Sequence, residues 1–352
     1  MKIAILGDIH VGARGDSPYF HSYFKRFYDN VFFPYLKEHN ILHVIQLGDV
    51  FDRRKFINFN SLKLSKEYFF DKLNNDYIGW LLTGNHDTYF KNTNDVNSPD
   101  LLLGEYLNIN CINEPIELEF EGVNILLMPW ICQENAQLCY NALKTSKAQI
   151  VMGHFEIEGF QMYRGAYCED GVNPNIFDKF DMVISGHFHT RSVSGNITYT
   201  GTPYEITWSD FDDPKGFHIF DTETRELAFV RNPYLMFHKL WYDDSASSMD
   251  EVLGLDFEQY RDTMVKLIIK NKVNTVWFDM YVEKLERSGV IDLQVVEDHL
   301  NLNLEDDNDI VNEAEDTLTI LSKYVDQLEI KADKTKLDAL LRDLYHQALT
   351  VE

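Results

Sequence analysis

No apolar stretch in the 352-residue chain approaches the roughly 20 residues a helix needs to cross a bilayer, so no membrane span is expected. The opening MKIAILGDIH reaches Asp8 with no basic segment followed by a long apolar one, and a secretory leader is not expected either. Cysteine is scarce. Cys111, Cys132, Cys139 and Cys168 form no CxxC pair and fit no zinc-finger spacing, so reduced thiols in a cytoplasm are expected. Positive charge is also short: 32 Lys and Arg against 57 Asp and Glu leave a net charge of −25. That balance argues against coating nucleic acid through a broad basic face. It leaves room for an enzyme whose metal ions neutralise charge where phosphate must sit, or one that borrows a basic surface from a partner. Internal repeats and low-complexity tracts are missing as well.

Apolar residues, at 45%, and aromatics, at 14%, are ample for globular cores. The length implies one large domain and a smaller addition. Six short apolar runs mark the first two thirds: KIAILGD (2–8), ILHVIQLGD (41–49), YIGWLLTGN (77–85), VNILLMPW (123–130), AQIVMGH (148–154) and DMVISGH (181–187). None alternates, as expected of strands buried on both faces. YFHSYFKRFYDNVFFPYLKEHN and NFNSLKLSKEYFFDKLNN carry aromatics at helical spacing, which makes an α/β organisation. The segment 197–230 reads as an antiparallel meander turning at DTET, closing a domain over 1–235. A small α+β module is expected over 236–299. An acidic linker follows over 300–316, where NLNLEDDNDIVNEAED holds seven acidic and no basic side chains. A helical segment over 317–352 presents Leu337, Leu340, Leu341 and Leu344 along one side.

Five of the runs end in the same way, with a glycine and then polar residues. They give Asp8 and His10, Asp49 and Asp52, Asn85, His86 and Asp87, His154, and His187 and His189. Glycine lets a strand end turn sharply and pass close to a ligand. Ligands of α/β sheets gather at the carboxyl ends of strands, so the five groups can converge there. Two aspartates, an asparagine carbonyl and four imidazoles form a mixed N/O set without thiolate, suited to Mn²⁺, Fe²⁺ or Zn²⁺ better than to Mg²⁺. There are too many ligands for one ion and enough for two, with Asp49 chosen as the bridge. Two ions about 3.5–4 Å apart suit in-line displacement at phosphorus, hence phosphoester hydrolysis. His21, His43, His218 and His238 are left as surface or packing residues.

The ordered series GDIH, GDVFD, GNHD, GH and GHFH resembles the calcineurin-like metallophosphoesterases. LGDIHVG, LGDVFDRRK, TGNHD, MGHFEIEG, ISGHFH and YTGTPYEIT resemble more narrowly their Mre11/SbcD nuclease branch, in the form carried by T4-like bacteriophages. The resemblance implies a two-sheet β-sandwich flanked by helices, followed by a capping domain that selects DNA and a tail that binds a Rad50/SbcC-type ABC ATPase. It implies two Mn²⁺, with Mg²⁺ as a substitute: Asp8, His10 and His189 would hold one, Asn85, His154 and His187 the other, and Asp49 both. His86 would touch the scissile phosphate and help the leaving 3′-oxygen, with Asp87 expected to hold its imidazole in one tautomer. The implied activities are 3′→5′ exonuclease on duplex DNA and endonuclease on single strands or hairpins, in recombination and repair, by a homodimer. Asp52 departs from the branch, where cellular members often have a further histidine, and this bears on the balance of the two activities. The segment HSYFKRFYDNVFFPYL reads equally as a dimer face or a buried helix. Arg53, Arg54 and Lys55 read as a DNA-backbone contact or a solvated loop. Rival functions are a small-substrate phosphomonoesterase or cyclic-nucleotide phosphodiesterase, and a structural partner of the ATPase.

Overall fold

The computed structural model describes residues 1–163 and 166–297, together with positions 334, 336, 337 and 340. The expected linker over 300–316 lies outside the described residues, as does all of the tail but those four positions. Two six-stranded sheets form the centre. In the first, β1 (Lys2–Leu6), β2 (His43–Gln46), β3 (Ile78–Leu82) and β4 (Ile109–Ile112) are parallel neighbours, and β13 (Gly216–Asp221) and β14 (Leu227–Arg231) extend it antiparallel beyond β1. In the second, β6 (Val123–Met128), β7 (Ile150–His154) and β10 (Met182–Gly186) are parallel. Its edges are β5 (Ile116–Phe120) on one side and β12 (Ile197–Tyr199) with β11 (Ser192–Ser194) on the other. All six apolar runs of the sequence are therefore strands.

The reason those runs do not alternate is double burial. Ile3, Ile5 and Ile45 of the first sheet, with Leu47 just past β2, meet Ile125, Leu127, Ile150, Met152 and Ile184 of the second in a dry layer between them. Each such side chain contributes about 1.5–3 kcal/mol on burial. The opposite face of the first sheet is covered by two long helices. Pro18–Phe27 continues through a π-turn at Tyr28–Phe32 into Phe33–Glu38, and Phe59–Ser65 through a π-turn at Lys66–Phe70 into Asp71–Asp76. The wider turn lets consecutive aromatics face one way. Tyr28 and Tyr68 stack at 5.6 Å where the two π-turns meet. The helix Ala136–Thr145 and the hairpin β8 (Gln161–Tyr163) and β9 (Ala166–Tyr167) lie over the outer face of the second sheet.

Two expectations change here. His21, Tyr23, Phe24, Phe27, Tyr28, Phe32 and Phe33 are buried in the core, and Tyr35 is half-buried against it. That segment is therefore a packing helix whose aromatic side chains are taken up by the core. The segment 197–230 is not one meander. Its first strand, β12, pairs parallel with β10 in the second sheet, while β13 and β14 turn at DTET in the first. Of the histidines set aside, His21 packs inside, bonded to Ser61 at 2.8 Å, and His218 is buried.

Beyond Asn232 the chain forms a small unit of its own. β15 (Phe237–Asp243), β16 (Met264–Asn271) and β17 (Asp292–Glu297) make a parallel sheet, with the helix Thr275–Arg287 packed on it through Tyr242, Val265, Leu267, Tyr281 and Leu285. Its junction with the sandwich is specific. Glu205 accepts hydrogen bonds from the backbone N–H of Met236 and Phe237, at 2.6 and 2.9 Å. Trp208 sits between Phe237 and the Lys266 ammonium, 4.7 and 4.2 Å away. No described helix is long and apolar enough to cross a membrane. The four cysteines are free thiols.

Candidate metal centre

Five parallel strands end at one edge of the sandwich, and the polar groups behind them come together there. β1 delivers Asp8 and His10, β2 Asp49, and β3 Asn85 and His86, all from the first sheet. The second sheet delivers His154 at the end of β7 and His187 and His189 after β10. Asp8, His10 and His189 form one group of potential ligand atoms within 4.8 Å of one another, and Asp49, His154 and His187 form a second. Asp49 Oδ2 lies between them, 3.4 Å from His154 Nε2 and 3.9 Å from His10 Nε2. Asn85 Oδ1 completes the second group at 2.8 Å from His154 Nε2 and 3.0 Å from His187 Nδ1.

The backbone is strained to do this. His10, Asp49 and His187 all have positive φ, at 42°, 54° and 87°, a region costly for residues with a Cβ and common at functional sites. Two glycines make the approach feasible. A Cβ on Gly84 would strike the nitrogen and carboxylate of Asp49, and one on Gly186 would strike the Asp8 carboxylate.

The donor chemistry fits cations. His154 Nδ1 donates to the Leu47 carbonyl at 2.8 Å, so its Nε2 offers a lone pair toward Asn85 Oδ1, itself an acceptor. Two lone pairs at that separation need a proton or a metal ion between them. Likewise the Nε2 atoms of His10 and His189 face each other at 3.0 Å. Burial, aided by the neighbouring imidazoles, holds His187 and His189 down to about 3, so both are neutral and ready to ligate. Burial opposes charge on His10 and His154 too, but the surrounding carboxylates outweigh it and raise both to about 9. Burial pushes Asp8 up to about 6, while the imidazoles around Asp49, His154 first, overcome its burial and hold it well below the usual range. The centre draws in positive charge, and a metal ion would displace protons on binding.

His86 is not part of either group. Its Nδ1 donates to the Asp52 carbonyl at 2.7 Å, its backbone N–H donates to Asp49 Oδ1 at 2.7 Å, and its ring stands edge-on to His10 with centroids 5.0 Å apart. The expected partner was Asp87, and this is corrected. The Asp87 carboxylate instead takes the backbone N–H groups of Gly84, Val50 and Phe51 at 2.8–3.1 Å, lashing the second and third loops together. Burial first, then Asp49, raises Asp87 to about 7. Three further supports lack a sequence signal of their own. Tyr204 donates to the Ile9 carbonyl at 2.6 Å, between Asp8 and His10. Lys215, buried, donates to the His189 carbonyl at 2.8 Å while paired with Asp210 and Asp213. Trp130 packs its ring on His187 and His154, 5.3 and 5.9 Å away. Asp52 Oδ1 lies 3.3 Å from His10 Nδ1. Arg53 pairs with Asp16 at 3.3 Å and lies over Phe56, which ties the basic loop to its surroundings at one residue.

A profile of the calcineurin-like phosphoesterases matches residues 1–191 of this chain. Exonuclease subunit 1 of Enterobacteria phage T4 is 31% identical over 357 aligned residues, covering 100% of this chain and 99% of its own. The SbcD protein of the nuclease SbcCD of Staphylococcus epidermidis is 24% identical over 199 residues, 48% of this chain and 49% of its own. Its counterpart from Staphylococcus saprophyticus is 26% identical over 101 residues, 25% of this chain and 26% of its own. The family implies binding of divalent metal, and all the candidate ligands lie within the matched region, while Tyr204 and Lys215 lie beyond it. The chain belongs to the calcineurin-like phosphoesterase family.

Proposed function

We propose that this protein is the metal-dependent nuclease component of an SbcCD-like complex, hydrolysing DNA phosphodiesters at the strand-edge centre. The observation that carries the reading is the pair of adjacent three-residue groups, Asp8–His10–His189 and Asp49–His154–His187, whose side chains could each hold a metal ion. The full-length likeness to a phage exonuclease subunit supports DNA as the substrate. Asp8, His10 and His189 would hold one Mn²⁺, Asn85, His154 and His187 the other, and Asp49 both, with Mg²⁺ as a substitute. Such a pair supplies positive charge for the phosphate oxygens and activates the attacking water.

The protein's own part is positioning. Leu47, Ile9 and His189 carbonyls fix the ligand loops through His154, Tyr204 and Lys215. With its Nδ1 proton committed to Asp52, His86 has Nε2 left to meet the phosphate or to hand a proton to the leaving oxygen. The cap over 236–299 would select long DNA over small esters, and 317–352 would bind the ATPase, which would add basic surface to a chain of net charge −25. Homodimerisation belongs to the same reading.

The test is cleavage of duplex and single-stranded DNA with Mn²⁺, alongside manganese titration of Asp49→Asn. The mutant should lose both ions or bind them far more weakly. Two ions retained at wild-type affinity would remove Asp49 from its bridging place.

A further inference from the structure

Beside the centre lies a cavity of about 200 Å³, lined by Trp130, Ile131, Tyr140, His154, Phe155, Glu156, Asp170, Gly171 and Val172. His154, a ligand, forms part of its wall, so a group bound there is within one residue's reach of a phosphate on the metals. Both sides of the cavity are fixed. The Trp130 carbonyl accepts from Asn94 and Asn135 at 3.0 and 2.9 Å, and its N–H donates to the Thr83 carbonyl at 2.8 Å. On the facing side, Val172 donates to the Glu156 carbonyl at 2.7 Å and Glu158 donates to the Val172 carbonyl at 3.1 Å. A Cβ on Gly171 would collide with residues 156–158, so the two segments meet at van der Waals distance. None of this rigidity is required to hold metal.

The wall chemistry selects an occupant. Trp130, Tyr140, Phe155, Ile131 and Val172 offer flat and apolar surface, with Tyr140 39% exposed at the rim. Glu156 and Asp170 add carboxylates, which repel phosphate and accept hydrogen bonds from amino groups. A planar, uncharged heterocycle bearing N–H donors satisfies both, and a volume of this size takes one such ring rather than a base pair. In a nuclease that ring is a nucleobase, and it must be unpaired to enter.

We infer that the cavity between Trp130 and Glu156 receives the unpaired base of a nucleotide flanking the scissile phosphate, favouring the amino-bearing bases over thymine. This rests on the nuclease reading and gives the centre a reason to act on single-stranded or frayed DNA, where a base is free to swing out.

The test uses the full chain with Mn²⁺ and single-stranded oligonucleotides in which phosphorothioates block all linkages but one. The nucleotides on either side of that linkage carry cytosine, thymine or no base in turn. Loss of the base on one side should lower kcat/KM roughly 5- to 150-fold, the worth of one stacked base, with thymine between the two extremes. In Tyr140→Ala the base and abasic substrates should converge, and in Glu156→Gln the preference over thymine should vanish. A binding readout runs in parallel: 2-aminopurine at that position, with Ca²⁺ in place of Mn²⁺, should lose emission on the wild-type chain and keep it on Tyr140→Ala. If abasic and cytosine substrates are cut equally by the wild type, or if Tyr140→Ala shows the same difference as the wild type, the assignment falls while the nuclease reading stands. If bis(p-nitrophenyl) phosphate is hydrolysed and no oligonucleotide is, the nuclease reading falls and takes the pocket with it.

Discussion

Two residues at the centre divide the work between ligation and orientation. His86 sends Nδ1 to the Asp52 carbonyl and touches neither ligand group as a ligand. Replacing it with alanine or asparagine should leave manganese binding unchanged in calorimetry and lower DNA cleavage by roughly 10²–10⁴, the range for a lost general acid. A crystal of the variant lacking an ion would place His86 among the ligands instead. Asp52 acts through its other end. Its carboxylate faces Nδ1 of His10 at 3.3 Å, which favours a proton there and keeps Nε2 for metal, as carboxylates behind ligating histidines do. Asp52→Asn should therefore weaken the Asp8–His10–His189 site about 10–100-fold and spare the Asp49–His154–His187 site. Equal weakening of both sites in a two-site titration would show that Asp52 acts on the fold and not on His10. Asp52 thus has a contact of its own at the centre.

Among the elements, the junction of sandwich and cap carries a titratable group. Glu205 is fully buried and takes two backbone N–H bonds from the entry to β15. Burial raises it to about 7, and the N–H groups of Phe237 and Met236 only partly offset this. A carboxyl raised in the folded state adds stability that is full below its unfolded value, near 4.5, and is lost as pH rises through 7. The span corresponds to a change on the order of 3 kcal/mol. Glu205→Gln keeps an acceptor and cannot ionise, so the stability of wild type relative to mutant should shrink between pH 4.5 and 7.5 in thermal unfolding. A difference that stays flat across that range would mean Glu205 is not held protonated. The elements also explain what could be read from the sequence. Six strands were legible because burial on both faces leaves plain apolar runs, and the polar cluster because a glycine followed by polar residues recurs at five strand ends. The edge strand Ile116–Phe120 was not, since IELEF mixes glutamates into a short half-exposed ladder. Nor were the π-turns, which depend on two helices meeting aromatic to aromatic. The contacts of Tyr204, Lys215 and Asp87 were invisible for a different reason. These side chains act on backbone groups of distant loops, and such contacts leave no local pattern.

At the scale of the whole molecule, charge and length separate cutting from assembly. With a net charge of −25, the chain has little of its own to hold DNA, and in the proposed complex the ATPase brings that affinity. Ending the chain near residue 300 keeps every ligand, the cap sheet and Glu205. The truncated protein should therefore still cleave short substrates with manganese, and it should no longer co-purify with the ATPase. Capture of the ATPase at undiminished affinity would move the docking surface off the tail. One feature of the sandwich bears on safety in the cell that makes it. The proposed ligands come from both sheets, three strand ends from one and two from the other, so neither half of the fold holds the whole set. A chain still emerging from the ribosome, or one whose sheets have slid out of register, has its histidines and aspartates scattered on opposite leaves. Such a chain has no assembled centre, which forms only once both leaves have closed.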